Sequence, residues 1–371
     1  MNTVRVTGMA WSTALGATLD GVWRQLLDGA TGIRDVPSAL RLRNTLAAPV
    51  AGLPVSLADR QVALAETTVR AALADAGLPA AGALLVAGTS HGAHLDDEDA
   101  GSLDRWAADT AGRIGMTAPP VSISTACSSG SDAIMVGAQL IRAGVVDACV
   151  CGGADVLTDV KRLGHSALGT MSTTSLRTFH PDGDGTLLGE GAAFLVLESG
   201  DSAARRGVTG HAVFRGAGSS NDASGMTAPD PSGDGLLLAV RRCLADGGAD
   251  LADITVVNAH GSGTPTNDTV EAHAYSRLFA DGPRPAVFAT KGAFGHTLGA
   301  TGAIEAIATV LALRDRAVPP VVGLTDQPAS LPLPVPVRAP MPIKSGIGLS
   351  VTLGFGGFNT CVAFEAANPD A

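Results

Sequence analysis

The sequence is short of cysteine, of positive charge and of long apolar runs. Its 371 residues include five cysteines, too few for a disulfide scaffold. Lysine and arginine number 25 against 35 acidic residues, and the net charge of −10 argues against a nucleic-acid surface while leaving room for a local basic patch. No apolar run reaches the ~18 residues of a membrane helix, and the N-terminus reads as a strand rather than a signal peptide. We therefore expect a cytoplasmic protein without a membrane segment.

Segments typical of strands and of helices alternate along the whole chain. Apolar β-prone runs, such as residues 83–88 and 254–261, are separated by helical patterns such as residues 59–76 and 303–314. This alternation predicts an α/β fold with a mostly parallel sheet covered on both faces. The rhythm repeats, which predicts a duplicated architecture with halves at residues 1–205 and 206–371. Residues 35–54 are irregular and predict a surface loop or cap.

The stretch VSISTACSSG places a single cysteine between a predicted strand, residues 121–123, and a predicted helix, residues 128–142. At such a corner Cys127 lies at a helix N-terminus, where unpaired backbone N–H groups favour the thiolate. Small neighbours leave room for a substrate, as at the nucleophile turn of hydrolases. The alternative is a buried structural cysteine, the commoner state of a lone thiol.

Three polar clusters follow predicted buried strands in the second half and favour the catalytic interpretation. They are NAHGSGTPTND with His260, TKGAFGHTLGATGAIE with Lys291 and His296, and GFGGFN with Phe355. Lys291 is one of only three lysines, which suggests that an ammonium group is required there.

A cysteine with two histidines fits acyl transfer to a thiol followed by carbon–carbon bond formation. The thiolate can hold an acyl group as a thioester, and two imidazoles can hold the carbonyl of a malonyl unit as carbon dioxide leaves. Backbone N–H groups of Phe355 and Cys127 can form an oxyanion hole. A simple cysteine hydrolase requires one histidine and an orienting carboxamide.

These motifs resemble those of the elongating β-ketoacyl-(acyl carrier protein) synthases, a thiolase-like family of fatty acid and polyketide synthesis. The resemblance covers nearly the whole chain, including DGDGTLLGEGAAFLVLES. It implies a five-layered αβαβα fold from two duplicated halves with mixed, mostly parallel sheets. It also implies that Cys127 is the acylated nucleophile, and that His260 and His296 drive decarboxylation and condensation.

The resemblance assigns supporting roles to further residues. Lys291 would hold the local charge network with Glu271 as its carboxylate partner and Asp268 nearby. Phe355 would be the gating phenylalanine whose backbone N–H also serves the oxyanion hole.

The family further implies a partner and an assembly. Arg205 and Arg206 match a basic position used against the acidic acyl carrier protein. That carrier brings the phosphopantetheine arm, so no resident cofactor is expected. A homodimer is expected, with a heterodimer alongside a chain-length-factor-like subunit as the alternative.

Several segments look shorter than their counterparts in the family, namely residues 35–54, 92–127 and the loop of residues 171–179. In the family, the corresponding regions contribute to the cap, the dimer contact and the acyl tunnel. The resemblance therefore implies a specialised polyketide or fatty acid pathway and leaves the acyl substrate open.

Other interpretations of single motifs remain open at this point. His91 and His94, or the DGDG turn, can suggest a metal site, but we favour a solvated loop and turn chemistry, and predict no metal. Cys149 and Cys151 alternate along a predicted strand, as two buried thiols would.

Three other functions also remain open. The acyl group on Cys127 can pass to an amine, an alcohol or water without condensation. A noncatalytic partner subunit would typically lack the active cysteine, which this chain keeps. A biosynthetic thiolase would be expected to keep a second catalytic cysteine, whereas Cys361 lies in a predicted buried strand.

Overall fold

Strands and helices alternate through the computed structural model, which describes residues 3–54, 56–96 and 101–367. The strands are β1 (Val4–Ser12), β2 (Arg34–Asp35), β3 (Leu46–Ala47), β4 (Leu84–Gly88), β5 (Val121–Ile123), β6 (Ala148–Asp155), β7 (Gly191–Ser199), β8 (Ala212–Asn221), β9 (Ile254–Asn258), β10 (Ala286–Phe288), β11 (Ala317–Val318), β12 (Met341–Pro342), β13 (Ile347–Gly354) and β14 (Phe358–Ala366).

The helices connect these strands, as the alternation predicts. They are α1 (Leu19–Leu27), α2 (Leu57–Ala76), α3 (Arg105–Ile114), α4 (Ser129–Arg142), α5 (Asp159–Ala167), α6 (Gly200–Arg206), α7 (Asp234–Gly247), α8 (Pro265–Leu278), α9 (Lys291–Phe294) and α10 (Thr301–Asp315). Single 3₁₀ turns lie at Ala80–Gly82, Ala126–Ser128, Leu251–Asp253 and Leu298–Ala300. No helix within the described residues is long and apolar enough to cross a membrane.

Ten strands form one mixed sheet in the order β5-β4-β6-β7-β1-β8-β14-β13-β9-β10. Numbered by chain order within each half, both halves have the strand order 3-2-4-5-1. In each half two parallel pairs are followed by two antiparallel pairs. This repetition of order and direction is the predicted duplication. The predicted boundary at residues 205 and 206 falls at the end of α6, which links β7 to β8.

The sheet is mixed, as predicted, but parallel pairs do not predominate. Four of its pairings are parallel and five are antiparallel. The physical reason is connection length. Strands β13 and β14 are joined by a short turn, which permits only antiparallel pairing.

Helices lie in three layers with the two halves of the sheet between them. Helices α2 and α3 cover the outer face of the first half, and α7 and α8 cover that of the second. Helices α4 and α10 contact each other and strands of both halves, so they form the middle layer. This is the αβαβα arrangement that the resemblance implies. Helix α10 is apolar on all sides and buried along residues 301–313, as a central helix must be.

Glycine permits the close approach of the two central helices. A Cβ atom on Gly130 would lie 2.9 Å from the carbonyl oxygen of Gly299, and one on Gly302 would lie 2.0 Å from Ser131 Oγ. The N-terminal ends of α4 and α10 therefore meet. Since Cys127 precedes α4 and His296 precedes α10, this packing brings their side chains together.

One local prediction needs a small correction, and one extends beyond the described residues. Residues 35–54 are mostly irregular, as predicted, but they contain the two-residue strand β3, which pairs with β2. His165 lies in α5. Part of the polar stretch that follows His94, residues 97–100, lies outside the described residues.

Other local interpretations are confirmed. Cys149, Cys151 and Cys361 are buried strand residues. Asp184 of the DGDG turn accepts hydrogen bonds from Ser172 and Thr173 in the neighbouring loop.

Candidate active site

Cys127 lies in the 3₁₀ turn that joins β5 to α4, as the strand–corner–helix pattern predicts. The preceding residue, Ala126, has a left-handed φ of 53°, a conformation that costs a residue with a Cβ atom roughly 1–2 kcal/mol. Ser129 Oγ donates to the carbonyl of Ala126, and the Thr125 backbone N–H donates to Ser129 Oγ. The thiol is 4% exposed and lines a cavity of about 250 Å³.

His296 is the imidazole in contact with the thiol. Its Nε2 lies 3.1 Å from Cys127 Sγ. The backbone N–H of Leu298 donates to its Nδ1 at 3.3 Å. A nitrogen that accepts a backbone N–H cannot also carry a proton in a neutral ring, so the proton is assigned to Nε2. His296 therefore presents an N–H donor toward the sulfur.

His260 has the same tautomer for a different reason. Its ring centroid lies 5.3 Å from that of His296, with the planes near perpendicular. Lys291 Nζ lies 3.3 Å from its Nδ1, and an ammonium can only donate, so Nδ1 accepts and Nε2 carries the proton. Burial, followed by the charge of Lys291, lowers the pKa of both histidines well below the usual value. Both rings are therefore neutral donors in one cavity.

Lys291 pairs with Glu305, so the expected pairing with Glu271 is wrong. Lys291 Nζ lies 2.6 Å from Glu305 Oε1 and also donates to the His260 carbonyl oxygen. Lys291 and Glu305 are each 1% exposed. Burial raises the pKa of Glu305 to about 7, against the opposing charge of Lys291.

Glu271 and Asp268 instead fix the loop that carries His260. Glu271 accepts the backbone N–H groups of His260 at 2.8 Å and Gly261 at 2.6 Å. Asp268 accepts those of Gly263 at 3.1 Å and Phe179 at 2.7 Å. Both are positioning residues, because they act on the backbone of the loop. Burial raises the pKa of Asp268 to about 7.

Phe355 makes two contacts that its predicted roles require. Its backbone N–H makes a hydrogen bond to Cys127, as an oxyanion-hole donor must be able to do. Its ring lies in the cavity and stacks on His165, with centroids 5.5 Å apart and planes at 24°. The ring is therefore placed to gate access to the thiol.

The expected preference for the thiolate is wrong for the free enzyme. Burial raises the pKa of the Cys127 thiol to about 11, although the Phe355 backbone and the charge of Lys291 act in the opposite direction. The expectation considered only the helix N-terminus. It left out the desolvation of a thiol enclosed between two halves of the molecule.

Comparisons with known proteins agree with this geometry. The N-terminal domain of the β-ketoacyl synthases matches residues 1–203, and their C-terminal domain matches residues 211–325. The chain belongs to the β-ketoacyl synthase family. This synthase is 32% identical over 403 aligned positions to the 3-oxoacyl-[acyl-carrier-protein] synthase 2 of Mycobacterium bovis, covering 97% of this chain and 96% of the relative.

Two solved structures are similar to this synthase over nearly their whole length. The ishigamide ketosynthase/chain length factor has a TM-score of 0.88 at 29% identity, covering 98% of this chain and 99% of the other. A β-ketoacyl synthase from Burkholderia phymatum has a TM-score of 0.85 at 29% identity, covering 99% and 100%.

A second buried ion pair supports the site of the synthase and was missed. Lys161 Nζ bonds Asp155 Oδ1, and both side chains are nearly inaccessible. The other oxygen of Asp155 accepts the backbone N–H of Gly299, just after His296, and that of Ser90. Lys161 is another of the three lysines. The scarcity that singled out Lys291 could have identified it too.

Arg205 and Arg206 lie far from the thiol of the synthase. Helix α6 begins where β7 ends, and that end pairs with the start of β6. Asp155, which approaches the active site, is at the other end of this eight-residue strand, about 23 Å away at ~3.3 Å per residue. Arg206 donates to buried Glu198 and to backbone carbonyls of α2 and its C-cap. Carrier contact at Arg205 and Arg206 stays a prediction.

Proposed function

We propose that the chain catalyses a decarboxylative Claisen condensation that extends an acyl group on Cys127 with a malonyl unit borne by acyl carrier protein. The observation that carries the proposal is the meeting of His260, His296 and Cys127 in one cavity, with a donor at each Nδ1 that assigns the ring proton to Nε2. Two neutral donors suit an enolate oxygen. The Mycobacterium bovis relative carries the name of this activity.

The first half-reaction transfers the acyl group to Cys127. The sulfur, as thiolate, attacks the thioester carbonyl of the acyl carrier, the carrier C–S bond breaks, and the carrier leaves as a thiolate that takes up the proton lost by Cys127. The backbone N–H groups of Cys127 and Phe355 stabilise the negative oxygen of the tetrahedral intermediate. His296 Nε2–H stabilises the thiolate, which compensates for its burial.

The second half-reaction forms the carbon–carbon bond. The malonyl thioester oxygen accepts hydrogen bonds from Nε2–H of His260 and His296. The bond to the carboxylate breaks, carbon dioxide leaves, and its electron pair forms the enolate. The α-carbon attacks the acyl carbonyl, and the C–S bond to Cys127 breaks to regenerate the thiolate. One such donor typically contributes about 10²–10³ in rate.

The carrier brings its own phosphopantetheine arm, so the proposal requires no resident cofactor. Arg43 is a better candidate for carrier contact than Arg205. It is exposed, its backbone N–H donates to Ser166 Oγ, and its guanidinium lies beside Gly169 at the cavity mouth. A cationic group there suits an acidic carrier. A cytoplasmic location stays an expectation from the sequence.

A second subunit completes the edge of the sheet in this proposal. Strand β5 is the last strand on one side, and its three residues are half-buried. An open edge directly before Cys127 is suited to pairing with another chain. We expect a homodimer. The similarity to a ketosynthase/chain length factor structure supports a heterodimer as the alternative.

The proposal is tested by incubating the chain with an acyl carrier and malonyl carrier and analysing products by intact mass. The expected result is a 3-oxoacyl carrier two carbons longer than the starting acyl group, together with an acyl adduct that Cys127→Ala lacks. Transfer of the acyl group to an amine, an alcohol or water without chain extension would contradict the proposal. So would an adduct that persists in Cys127→Ala.

A further inference from the structure

His165 enters the cavity of Cys127 but has no part in the chemistry described above. It lies near the end of α5, stacks on Phe355, and belongs to the wall formed with Leu168 and Thr170. Its stack on Phe355, whose backbone N–H contacts Cys127, places it on the cavity wall near the thiol.

One ring nitrogen of His165 makes no hydrogen bond to the described residues. Its Nδ1 lies 2.9 Å from Thr170 Oγ1, whereas its Nε2 has no hydrogen-bond partner among the described residues. Burial, followed by the charge of Lys161, lowers its pKa to about 4, so the ring is neutral at pH 7. A neutral imidazole with one nitrogen engaged can make one more hydrogen bond.

A second unpaired polar atom lies on the same wall. Thr186 lines the cavity, is 2% exposed, and donates its backbone N–H to the Thr170 carbonyl at 2.8 Å. Its Oγ1 is buried with no partner among the described residues. An unsatisfied buried hydroxyl is costly, and a substrate oxygen can offset that cost.

Polar side chains are common on the cavity wall. Of its 22 lining residues, 14 carry polar side chains, counting Cys127 and the three histidines. His165 on this wall stacks on Phe355, whose backbone N–H contacts Cys127, the residue that carries the acyl group in the proposed function.

We propose that His165 is a positioning and specificity-determining residue, whose free Nε2, with Thr186 Oγ1, hydrogen-bonds an oxygen on the acyl group near the thioester. The favoured substrates are 3-hydroxyacyl or 3-oxoacyl groups rather than saturated acyl groups. The inference rests on the proposed function. A phenylalanine at this position would preserve the stack on Phe355 and lose only the hydrogen bond.

The test compares Cys127 acylation by saturated, 3-hydroxy and 3-oxo acyl carriers of equal length, with kcat/KM followed by intact mass. We expect wild type to favour the better oxygenated substrate about tenfold, the value of one or two hydrogen bonds. His165→Phe should abolish this preference, while loading of the saturated substrate changes less than about threefold. Thr186→Val, a near-isosteric change, should reduce the preference without loss of thermal stability. His273→Phe, an exposed control on α8, should change neither.

Two outcomes overturn the inference while the proposed function survives. One is chain extension by wild type with no preference for oxygenated groups. The other is an equal loss on all substrates in His165→Phe, as a mere packing role would give. If His165→Phe fails to fold, the inference is still tested by the substrate preference of Thr186→Val and by the ratio of kcat/KM values for oxygenated and saturated substrates in wild type. Absence of chain extension with every carrier would instead count against the proposed function.

Discussion

The buried pair of Lys291 and Glu305 makes a quantitative prediction about stability. Replacing Lys291 by methionine leaves the Glu305 carboxylate with no cation, since both groups are 1% exposed. Breaking a buried pair from one side costs about 3–5 kcal/mol, whereas replacing both partners by apolar groups is often nearly neutral. Lys291→Met should therefore be less stable than Lys291→Met/Glu305→Leu. The matched control is Arg70→Met, whose exposed pair with Glu66 is worth about 0.3–0.5 kcal/mol.

The pH dependence of this cost has a definite sign. The pKa of Glu305 is raised from 4.5 to about 7 in the folded protein, so folding favours its protonated form and stability falls as pH rises through this window. In wild type the fall is complete just above pH 7. Without Lys291 the pKa rises further, and the fall continues at about 1.4 kcal/mol per pH unit.

Urea unfolding at pH 6 and pH 8 measures both effects. The deficit of Lys291→Met relative to wild type should be larger at pH 8. The reasoning is refuted if the single variant costs less than about 1 kcal/mol at pH 8, or if the double variant costs the sum of the two singles.

Three further predictions concern the chemistry and the partner. Because burial raises the thiol pKa to about 11, alkylation of Cys127 by iodoacetamide should accelerate about tenfold per pH unit between pH 7 and 9; a plateau below pH 8 would show a stabilised thiolate. His260→Ala should lower decarboxylation of malonyl carrier by about 10²-fold or more while acylation of Cys127 changes less than about fivefold. His296→Ala should lower both rates, because Nε2 of His296 contacts the sulfur; equal losses in the two variants would contradict the division of roles. Arg43→Glu should raise KM for the acyl carrier and leave acylation by a free pantetheine thioester unchanged. Arg205→Glu should change neither value. The reverse pattern would show that the carrier binds at Arg205, as predicted from the sequence, and not at Arg43.

The sequence was sufficient to predict that Cys127, His260 and His296 lie in one site, because each follows a recognisable strand end. Cys127, His260 and His296 are embedded in small residues that leave few other roles for them. The ion-pair partners of these residues were harder to predict, because the local sequence does not show which helices and strands come into contact. Glu305 lies in α10 among mainly apolar buried residues, and its carboxyl was itself the signal that a buried cation must face it.

Helix α5 was not predicted, because its charged side chains are buried and its apolar side chains are exposed. Lys161 and Arg162 are 4% and 2% exposed, whereas Val160 and Leu163 are 37% and 38% exposed. Hydrophobic periodicity assumes apolar residues inside, so it could not find this helix or place His165 on it. The prediction of a Cys127 thiolate was wrong for a related reason, because the burial of the thiol depends on how the two halves of the molecule pack.

The most direct measurement is the ratio of carbon dioxide released from labelled malonyl carrier to acyl groups consumed from Cys127. Pre-acylated chain is mixed with malonyl carrier, and gas, product and residual adduct are quantified together. Condensation predicts one carbon dioxide for each acyl group lost, with an equal amount of 3-oxoacyl carrier. Loss of the acyl group with no carbon dioxide, giving the free acid or another ester or amide, would contradict the account.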